Sequence, residues 1–370
     1  YMQEIRTEHL TVGYDKTPLI GDVNLSVRPG EILTLIGPNG SGKSTILKTI
    51  TKQLKKLDGT VFLGEASMDE LKDSQISRRL SMVMTERLRT ELMSGREVVA
   101  SGRYPYTGRF GILSKEDWAK VDEAIALVHA GEVQDQDFMK ISDGQRQRIL
   151  LARAICQQPE ILLLDEPTSY LDIKYKLEFL SVLQELQKKK GLTVILSLHE
   201  LELAARVSDR ILCVDGAFVE QVGTPEEVFR PGHLSKLFQI TQGSFEEESQ
   251  EMELAAVKGT PEIFVIAGNG SGRNTFRRLQ REGIPFAAGL LWENDLDYPA
   301  AKALSSRLFS APAFEPVSEE LLEQAMRCMD GCRKVICCRE SFGTLEDAQK
   351  RLLAYAKARG LSERNAQNYV

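Results

Sequence analysis

The chain has 370 residues, of which 42% are hydrophobic and 27% charged, and its net charge is −6. This length predicts two domains, or one large domain with an appendage. The negative charge argues against a nucleic-acid partner held through bulk positive charge. No run of 18 or more apolar residues occurs, so the chain is not expected to cross a membrane by itself. Six scattered cysteines fit a reducing cytoplasm better than a disulfide framework.

Strand patterns open the chain. Residues 5–12 and 22–27 are rich in strand formers, with period-two alternation in the second segment, and the apolar run Ile32–Ile36 predicts a buried strand. Helical spacing follows at residues 46–50, and another strand is predicted over residues 57–64. The opening therefore alternates strands with one early helix.

A glycine-rich loop lies between the predicted strand Ile32–Ile36 and the predicted helix over residues 46–50. It fits G-x-x-x-x-G-K-[ST], a phosphate-binding pattern. Glycines let successive N–H groups point at an anion, and the helix dipole adds to them. Lys43 is predicted to reach the β- and γ-phosphates, and the Ser44 hydroxyl to ligate Mg²⁺. The loop consists of Gly37, Pro38, Asn39, Gly40, Ser41, Gly42, Lys43, Ser44 and Thr45.

Residues 91–133 have a mostly helical pattern, which Gly102–Gly108 interrupts. Helices and strands then alternate, and this order predicts an α/β core with a mostly parallel sheet. The predicted elements are helix 144–157, strand 161–164, helix 173–190, strand 193–197, helix 200–207 and strand 210–214.

Two carboxylates end the apolar strand over residues 161–164. Such a strand is typical of the centre of a parallel sheet, which places Asp165 and Glu166 at its carboxyl end beside the phosphate loop. Asp165 is predicted to bind Mg²⁺, directly or through water. Glu166 is predicted to orient or deprotonate the water that attacks the γ-phosphate.

The segment Ile141-Ser142-Asp143-Gly144-Gln145 precedes a predicted helix. With the phosphate loop and the Asp165–Glu166 strand end, it resembles the nucleotide-binding subunits of ATP-binding cassette (ABC) transporters, over residues 1 to about 240. The family signature is Leu-Ser-Gly-Gly-Gln, so this chain departs from it at Ile141 and Asp143. The resemblance implies an α/β fold: a P-loop ATPase domain with a mostly parallel core sheet, an antiparallel β-subdomain and a helical subdomain.

The resemblance also implies ATP hydrolysis with Mg²⁺ at a site shared by two copies in a head-to-tail homodimer. Ser142, Gly144 and Gln145 of one copy would complete the ATP site of the other. An acidic Asp143 near phosphate is unfavourable unless its side chain points away. We expect the chain to keep its ATPase function, with slower turnover of ATP as one outcome.

Other positions carry family roles by resemblance. Tyr14 corresponds to the aromatic residue that stacks on adenine, and Ser169–Asp172 to the dimer-facing loop. His199 corresponds to the switch histidine that contacts the γ-phosphate. The family's Mg²⁺-sensing glutamine falls on Thr85, whose hydroxyl is the candidate contact to a Mg²⁺-bound water. Glu86 is a candidate substitute for this role.

Residues 77–81, 99–106 and 223–228 look like the ATPases of importers for iron–siderophore complexes, haem and vitamin B12. A simple turn is the alternative interpretation of Gly102–Tyr106. The subclass implies a peripheral protein at the cytoplasmic face of the cell membrane, docked on two integral membrane permease subunits. An external substrate-binding protein would deliver cargo to the permease, and no nucleic acid is involved.

Two other functions remain as alternatives. A soluble ABC ATPase acting on DNA or ribosomes is disfavoured, because the chain has one cassette, no long coiled-coil insertion and no basic surplus. A regulatory subunit that binds ATP but hydrolyses it slowly is suggested by Thr85 and Asp143. The activity of a Glu166→Gln variant would separate this alternative from the first.

The predicted domains are an ATP-binding domain over residues 1–242, an acidic linker over 243–258 and a small Rossmann-like α/β domain over 259–370. The last contains a second glycine loop, Gly268–Thr275, with a helix predicted over Phe276–Glu282. Arg273 replaces the lysine of the first loop and Asn274 its hydroxyl residue, so a second ATPase is not expected. A regulatory module that binds a small anion and a structural or dimerising domain both remain open.

Four cysteines lie in this C-terminal region. Cys328 and Cys332 are four residues apart, whereas Cys337 and Cys338 are neighbours on a predicted strand and point to opposite faces. This arrangement suits a single zinc ion poorly. Buried structural thiols are the preferred interpretation.

Overall fold

The computed structural model describes residues 4–84, 92–108, 111–217, 219–247 and 249–364. The chain divides into two compact units, with the division between Phe238 and Gln239. We call them the N-terminal unit and the C-terminal unit and describe each by itself.

The N-terminal unit opens with an antiparallel sheet, as the first strand patterns predict. The sheet contains β1 (Ile5–Tyr14), β2 (Thr17–Val23), β3 (Ser26–Val27), β5 (Asp58–Leu63) and β6 (Ala66–Ser67). Its order is β2-β1-β5-β6, and β3 pairs with β1 beyond this path. Leu10, Val12 and Leu63 are fully buried beneath it.

A second sheet forms the centre of the unit. It contains β4 (Ile32–Ile36), β7 (Leu80–Val83), β8 (Ile161–Leu164), β9 (Thr193–Ser197), β10 (Arg210–Val214) and β11 (Val219–Gly223). Its order is β11-β10-β4-β9-β8-β7, and only β11 runs antiparallel to its neighbour. The strands β4, β8 and β9 are buried at every position, as their continuous apolar sequences predict. The carboxyl ends of these three strands therefore meet at one edge.

Helices pack around this sheet. They are α1 (Lys43–Ile50), α2 (Asp73–Arg79), α3 (Gly95–Ala100), α4 (Lys115–Leu127), α5 (Asp143–Cys156), α6 (Ile173–Lys190), α7 (Leu201–Val207), α8 (Pro225–Val228) and α9 (His233–Leu237). The side chain of Asp172 caps α6 by accepting from the Tyr175 N–H, and Gly191 in left-handed conformation ends it. These local signals explain why the predicted limits of α6 match the structure.

The helical subdomain consists of α3, α4 and α5, with a 3₁₀ turn over Ser101–Tyr106. Arg103 of this turn is buried, and its guanidinium donates to Asp117 (2.9 Å) and to the Cys156 carbonyl (2.9 Å). A buried ion pair needs such additional hydrogen bonds to offset the loss of hydration. The Gly-Arg-x-Pro segment thus fastens α4 to the end of α5.

The C-terminal unit is a parallel α/β sandwich. Its sheet contains β14 (Ile263–Ile266), β15 (Phe286–Trp292), β16 (Arg307–Ala311), β17 (Lys334–Cys337) and β18 (Ser362–Arg364). The order β16-β15-β14-β17-β18 with β14 at the centre is the doubly wound arrangement. Its helices are α10 (Arg273–Arg281), α11 (Tyr298–Leu304), α12 (Glu319–Asp330) and α13 (Asp347–Ala358). The helices α10 and α11 cover one face, and α12 and α13 cover the other.

The segment predicted as an acidic linker contains regular secondary structure instead. It contains a hairpin, β12 (Ser244–Glu246) and β13 (Glu251–Glu253), which belongs to the C-terminal unit. Arg273 of α10 pairs with Glu251, and Arg277 Nε lies 2.9 Å from Glu253 Oε1. Partners so distant in sequence give an acidic stretch a fixed position that its composition does not reveal.

The cysteines of the C-terminal unit are free thiols. Cys337 packs in the cluster beneath α12 and α13, and Cys338 in the cluster on the opposite face, as their adjacent positions predict. Burial raises the pKa of the Cys338 thiol to about 11. No group of three or more metal-ligating side chains occurs within the described ranges.

Candidate functional site: a phosphate loop with two carboxylates

The phosphate loop joins the end of β4 to the start of α1 at Lys43. Gly37 has φ of +153°, and a Cβ there would lie 2.0 Å from the Val214 carbonyl oxygen at the end of β10. No side chain fits at this position. The first N–H groups of an α-helix have no acceptor within the helix, so those at the start of α1 are available to a phosphate.

Lys43 occupies the centre of the loop. It is buried, and its Nζ donates to the carbonyl oxygens of Gly37 (2.9 Å) and Pro38 (3.0 Å). Burial lowers the pKa of Lys43, while the charges of Glu166 and Asp165 act in the opposite direction. The ammonium group is thus held by two loop carbonyl oxygens, which a phosphate oxygen can replace as acceptor.

Asp165 lies beside Ser44 at the carboxyl end of β8. Its Oδ1 accepts from the Ser44 hydroxyl (2.9 Å) and from the Ser197 hydroxyl (2.8 Å). A hydroxyl and a carboxylate are the hard oxygen ligands that Mg²⁺ prefers. The donor set therefore fits a magnesium ion.

Glu166 and His199 form a second pair at the same edge. His199 Nε2 lies 2.6 Å from Glu166 Oε1, and the Glu166 N–H donates to Ser197 Oγ (2.8 Å). Glu166 has φ of +47°, a left-handed conformation that is uncommon outside glycine. The strand ends of β8 and β9 thus bring a general-base candidate and a histidine together.

Tyr14 ends β1 and is half exposed, with its hydroxyl 3.2 Å from Thr45 Oγ1. The exposed ring leaves a face available next to the phosphate loop. Stacking on adenine stays a prediction that this position permits.

The signature segment lies at the start of α5. Ser142 caps the helix: its hydroxyl accepts from the Gln145 N–H (3.3 Å), and Gln145 Oε1 accepts from the Ser142 N–H (3.0 Å). A Cβ on Gly144 would lie 2.9 Å from the Tyr175 ring, so glycine is required here. Ser142 and Gln145 therefore hydrogen-bond each other at the start of the helix.

Asp143 has a compensating partner that the sequence analysis did not find. Arg146 Nη1 lies 2.8 Å from Asp143 Oδ1. Residues at positions i and i+3 lie on the same face of a helix, which allows this ion pair. The pair could therefore have been predicted from the sequence. The negative charge of the altered signature is therefore offset locally.

Ser197 is the other functional residue that sequence reasoning missed. It bridges the Asp165 carboxylate and the Glu166 backbone. Its position as the last residue of β9, one strand away from β8, was the available signal. Thr85 and Glu86, the candidates for the Mg²⁺-sensing position, lie outside the described residues.

A groove of about 560 Å³ lies between α2, β7 and α5. Its walls include Ile76, Leu80, Met84 and Leu150, and Arg153 supplies a cation whose pKa burial lowers. The walls also carry Lys52, Asp73 and uncharged polar side chains, and such a mixed groove suits a protein segment better than a phosphate group.

Comparison with known proteins gives the family. The ABC transporter family model matches residues 20–169, and that of the MJ0874 family matches residues 286–364. The chain is 38% identical over 291 residues to an uncharacterized ABC transporter ATP-binding protein of Methanocaldococcus jannaschii, covering 78% of this chain and 99% of the relative.

Other relatives have named transport roles. The chain is 36% identical over 239 residues to an iron(3+)-hydroxamate import ATP-binding protein of Bacillus subtilis (65% of this chain, 89% of the relative). It is 31% identical over 324 residues to a cobalamin import ATP-binding protein of Halobacterium salinarum (84% and 79%).

Among solved structures, a dimeric ATP-binding cassette bound to ADP and phosphate superimposes with a TM-score of 0.53 at 25% identity, covering 60% of this chain and 98% of the other. The predicted cassette fold, with its mixed sheets and extra C-terminal α/β region, is confirmed. The chain belongs to the ATP-binding proteins of ABC transporters, a family of ATPases.

Proposed function

We propose that this chain is the ATP-hydrolysing subunit of an ABC importer for iron–siderophore, haem or cobalamin-type complexes. The Glu166–His199 pair beside Lys43 and Asp165 is the observation that carries the enzymatic part. The cargo class follows from relatives named for iron(3+)-hydroxamate and cobalamin import.

ATP binds with its phosphates in the loop over residues 37–45. The loop N–H groups hold the phosphate oxygens, and Lys43 Nζ bonds the β- and γ-phosphates. Ser44 and Asp165 would hold Mg²⁺, which neutralises the charge on the phosphates when it is bound. Tyr14 stacks on the adenine ring.

Glu166 orients the attacking water and accepts its proton. Its Oε1 is held by His199, so Oε2, with Ser169 Oγ at 3.4 Å, remains to bind the water. A carboxylate fixed by a hydrogen bond has less orientational freedom to lose in the transition state. His199 would also contact the γ-phosphate, the role that the family resemblance implies.

A second copy completes the site. In a head-to-tail homodimer, Ser142, Gly144 and Gln145 of one chain face the γ-phosphate bound by the other. The dimeric relative bound to ADP and phosphate supports the pairing of two cassettes. Arg146 reduces the repulsion between Asp143 and phosphate, which favours hydrolysis over the slow regulatory alternative.

The groove between α2, β7 and α5 docks a segment of the membrane permease, and two permease subunits would bind one homodimer. No helix within the described ranges is long and apolar enough to cross a membrane. We place the protein peripherally at the cytoplasmic face of the cell membrane. A substrate-binding protein would act through the permease.

The enzymatic proposal is tested by the ATPase rate of the wild-type chain and of Glu166→Gln. Loss of the general base should lower the rate by roughly 10²- to 10⁴-fold while nucleotide binding persists. Glu340→Gln, which alters an exposed carboxylate after β17, is the matched control and should keep the rate. Equal, near-zero rates for wild type and Glu166→Gln would favour the regulatory subunit.

The transport proposal is tested by co-purification with candidate permeases from the same cell. Replacing Leu150 and Met84 in the groove by Asp should release the permease without changing ATP binding. Unchanged co-purification would place the permease elsewhere. If no membrane protein accompanies the wild-type chain, the soluble alternative gains support.

A further inference from the structure

The second glycine loop, Gly268–Gly272, follows β14 and precedes α10, as the first loop follows β4 and precedes α1. The chain repeats Asn-Gly-Ser-Gly in both loops. An open loop of this shape would present N–H donors to an anion.

Those donors already have acceptors within the C-terminal unit. The N–H groups of Gly268 and Gly272 both donate to Asp297 Oδ2, at 2.8 and 2.9 Å. The Asn269 N–H lies 3.0 Å from each carboxylate oxygen of Asp295. Both aspartates come from the connection between β15 and α11.

Asp297 is fully buried in this position. Burial raises the pKa of its carboxyl, and the hydrogen bonds from Gly272 and Gly268 act against that rise. A buried carboxylate that accepts two backbone N–H groups resembles a bound anion in its chemistry.

The cationic side chain of the second loop also has partners within the protein. Arg273, which stands where the first loop has Lys43, donates through Nε and Nη2 to the Leu296 carbonyl, at 3.1 and 2.6 Å. Its Nη1 pairs with Glu251 of the hairpin. The guanidinium therefore binds the β15–α11 connection instead of reaching toward the loop's concave side.

A neighbouring ion pair packs against the second glycine loop. A Cβ on Gly268 would lie 2.7 Å from Arg339 Nη1, so this guanidinium packs directly on the loop. Arg339 Nη1 lies 2.8 Å from Glu346 Oε1, and both side chains are largely buried. The positive charge nearest to the loop is thus neutralised by the protein.

We infer that Asp297 is an internal substitute for a bound anion, which closes the second glycine loop and turns it into a latch between the β14–α10 and β15–α11 connections. The loop binds no nucleotide phosphate in the native protein. Its sequence similarity to the first loop does not extend to the backbone, since Gly42 is left-handed with φ of +100° and Gly272 is right-handed with φ of −90°.

Hydrogen–deuterium exchange on the full wild-type chain tests the latch without any substitution. The amides of Gly268, Asn269 and Gly272 should exchange slowly without ligand, and millimolar ATP or inorganic phosphate should leave their rates unchanged. Fast exchange that phosphate or ATP slows would overturn the inference, because the loop would then be an open anion site.

Substitution gives a second test. Asp297→Ala should speed exchange at Gly268 and Gly272 by at least about 10-fold, from loss of a hydrogen bond to a charged acceptor. Sodium formate, a free carboxylate, should restore part of the protection, with sodium chloride at equal ionic strength as the control. Glu293→Ala, an exposed change in the same connection, should alter nothing. Unchanged exchange in Asp297→Ala, or no response to formate, would contradict the latch.

Discussion

The two glycine loops of this chain share the order strand, loop, helix and the sequence Asn-Gly-Ser-Gly, and they differ in the charge at the centre. In the first, a lysine occupies the centre, and the carboxylates Asp165 and Glu166 stand outside the loop at the carboxyl end of β8. In the second, a carboxylate occupies the centre, and the arginine in the lysine's place faces away. A loop with a central cation can receive phosphate, whereas one with a central anion cannot. The charge at the centre, more than the glycine pattern, decides what each loop does.

The largest expected effect comes from exchanging the cations of the two loops for alanine. Lys43→Ala should weaken ATP binding by at least about 100-fold, because two or more charge-assisted hydrogen bonds to phosphate are lost. Isothermal titration calorimetry measures the change. Arg273→Ala is the matched control in the second loop and should leave ATP affinity unchanged. A comparable loss in both variants would erase the distinction between the loops.

His199→Ala should lower the rate of ATP hydrolysis by about 10- to 100-fold, because the Glu166 carboxylate loses the hydrogen bond that orients it. Because the role of His199 through Glu166 is already lost in Glu166→Gln, the double variant should lose less than the two single losses combined. Steady-state phosphate release measures all three rates. Additive losses in the double variant would give His199 a separate role, such as contact with the γ-phosphate alone.

The smallest effect concerns the altered signature. Because Arg146 compensates Asp143, Asp143→Asn should change the hydrolysis rate by less than about 5-fold, the range of a solvent-exposed ion pair. Arg146→Gln should slow hydrolysis more than Asp143→Asn does, because it leaves a carboxylate uncompensated near phosphate. A tenfold acceleration in Asp143→Asn would show that the compensation is ineffective.

Much of the N-terminal unit could be predicted from the sequence. The limits of β8, β9, β10 and α6 match, because uninterrupted apolar runs and clear capping residues mark them. The predicted strand ends also place Asp165, Glu166 and His199 at one edge of the sheet. Ser197 was missed because its position at the end of β9 indicates a role only once β9 is known to lie beside β8.

Less of the C-terminal unit could be predicted from the sequence. The sequence predicts a Rossmann-like α/β domain there without its strand order, and α10 begins at Arg273, earlier than its apolar spacing predicts, because Gly272 starts the helix. The hairpin depends on arginines about 22 residues away along the chain. Asp297 accepts from an N–H 29 residues earlier, so the second loop looked open in sequence.

The number of nucleotides bound per chain tests the central claim most directly. Equilibrium dialysis of the full Glu166→Gln chain against saturating ATP and Mg²⁺ should give one ATP per chain, and adding Lys43→Ala should reduce binding to none. Two ATP per chain, or one retained after Lys43→Ala, would contradict the assignment of nucleotide binding to the first loop and of closure to the second.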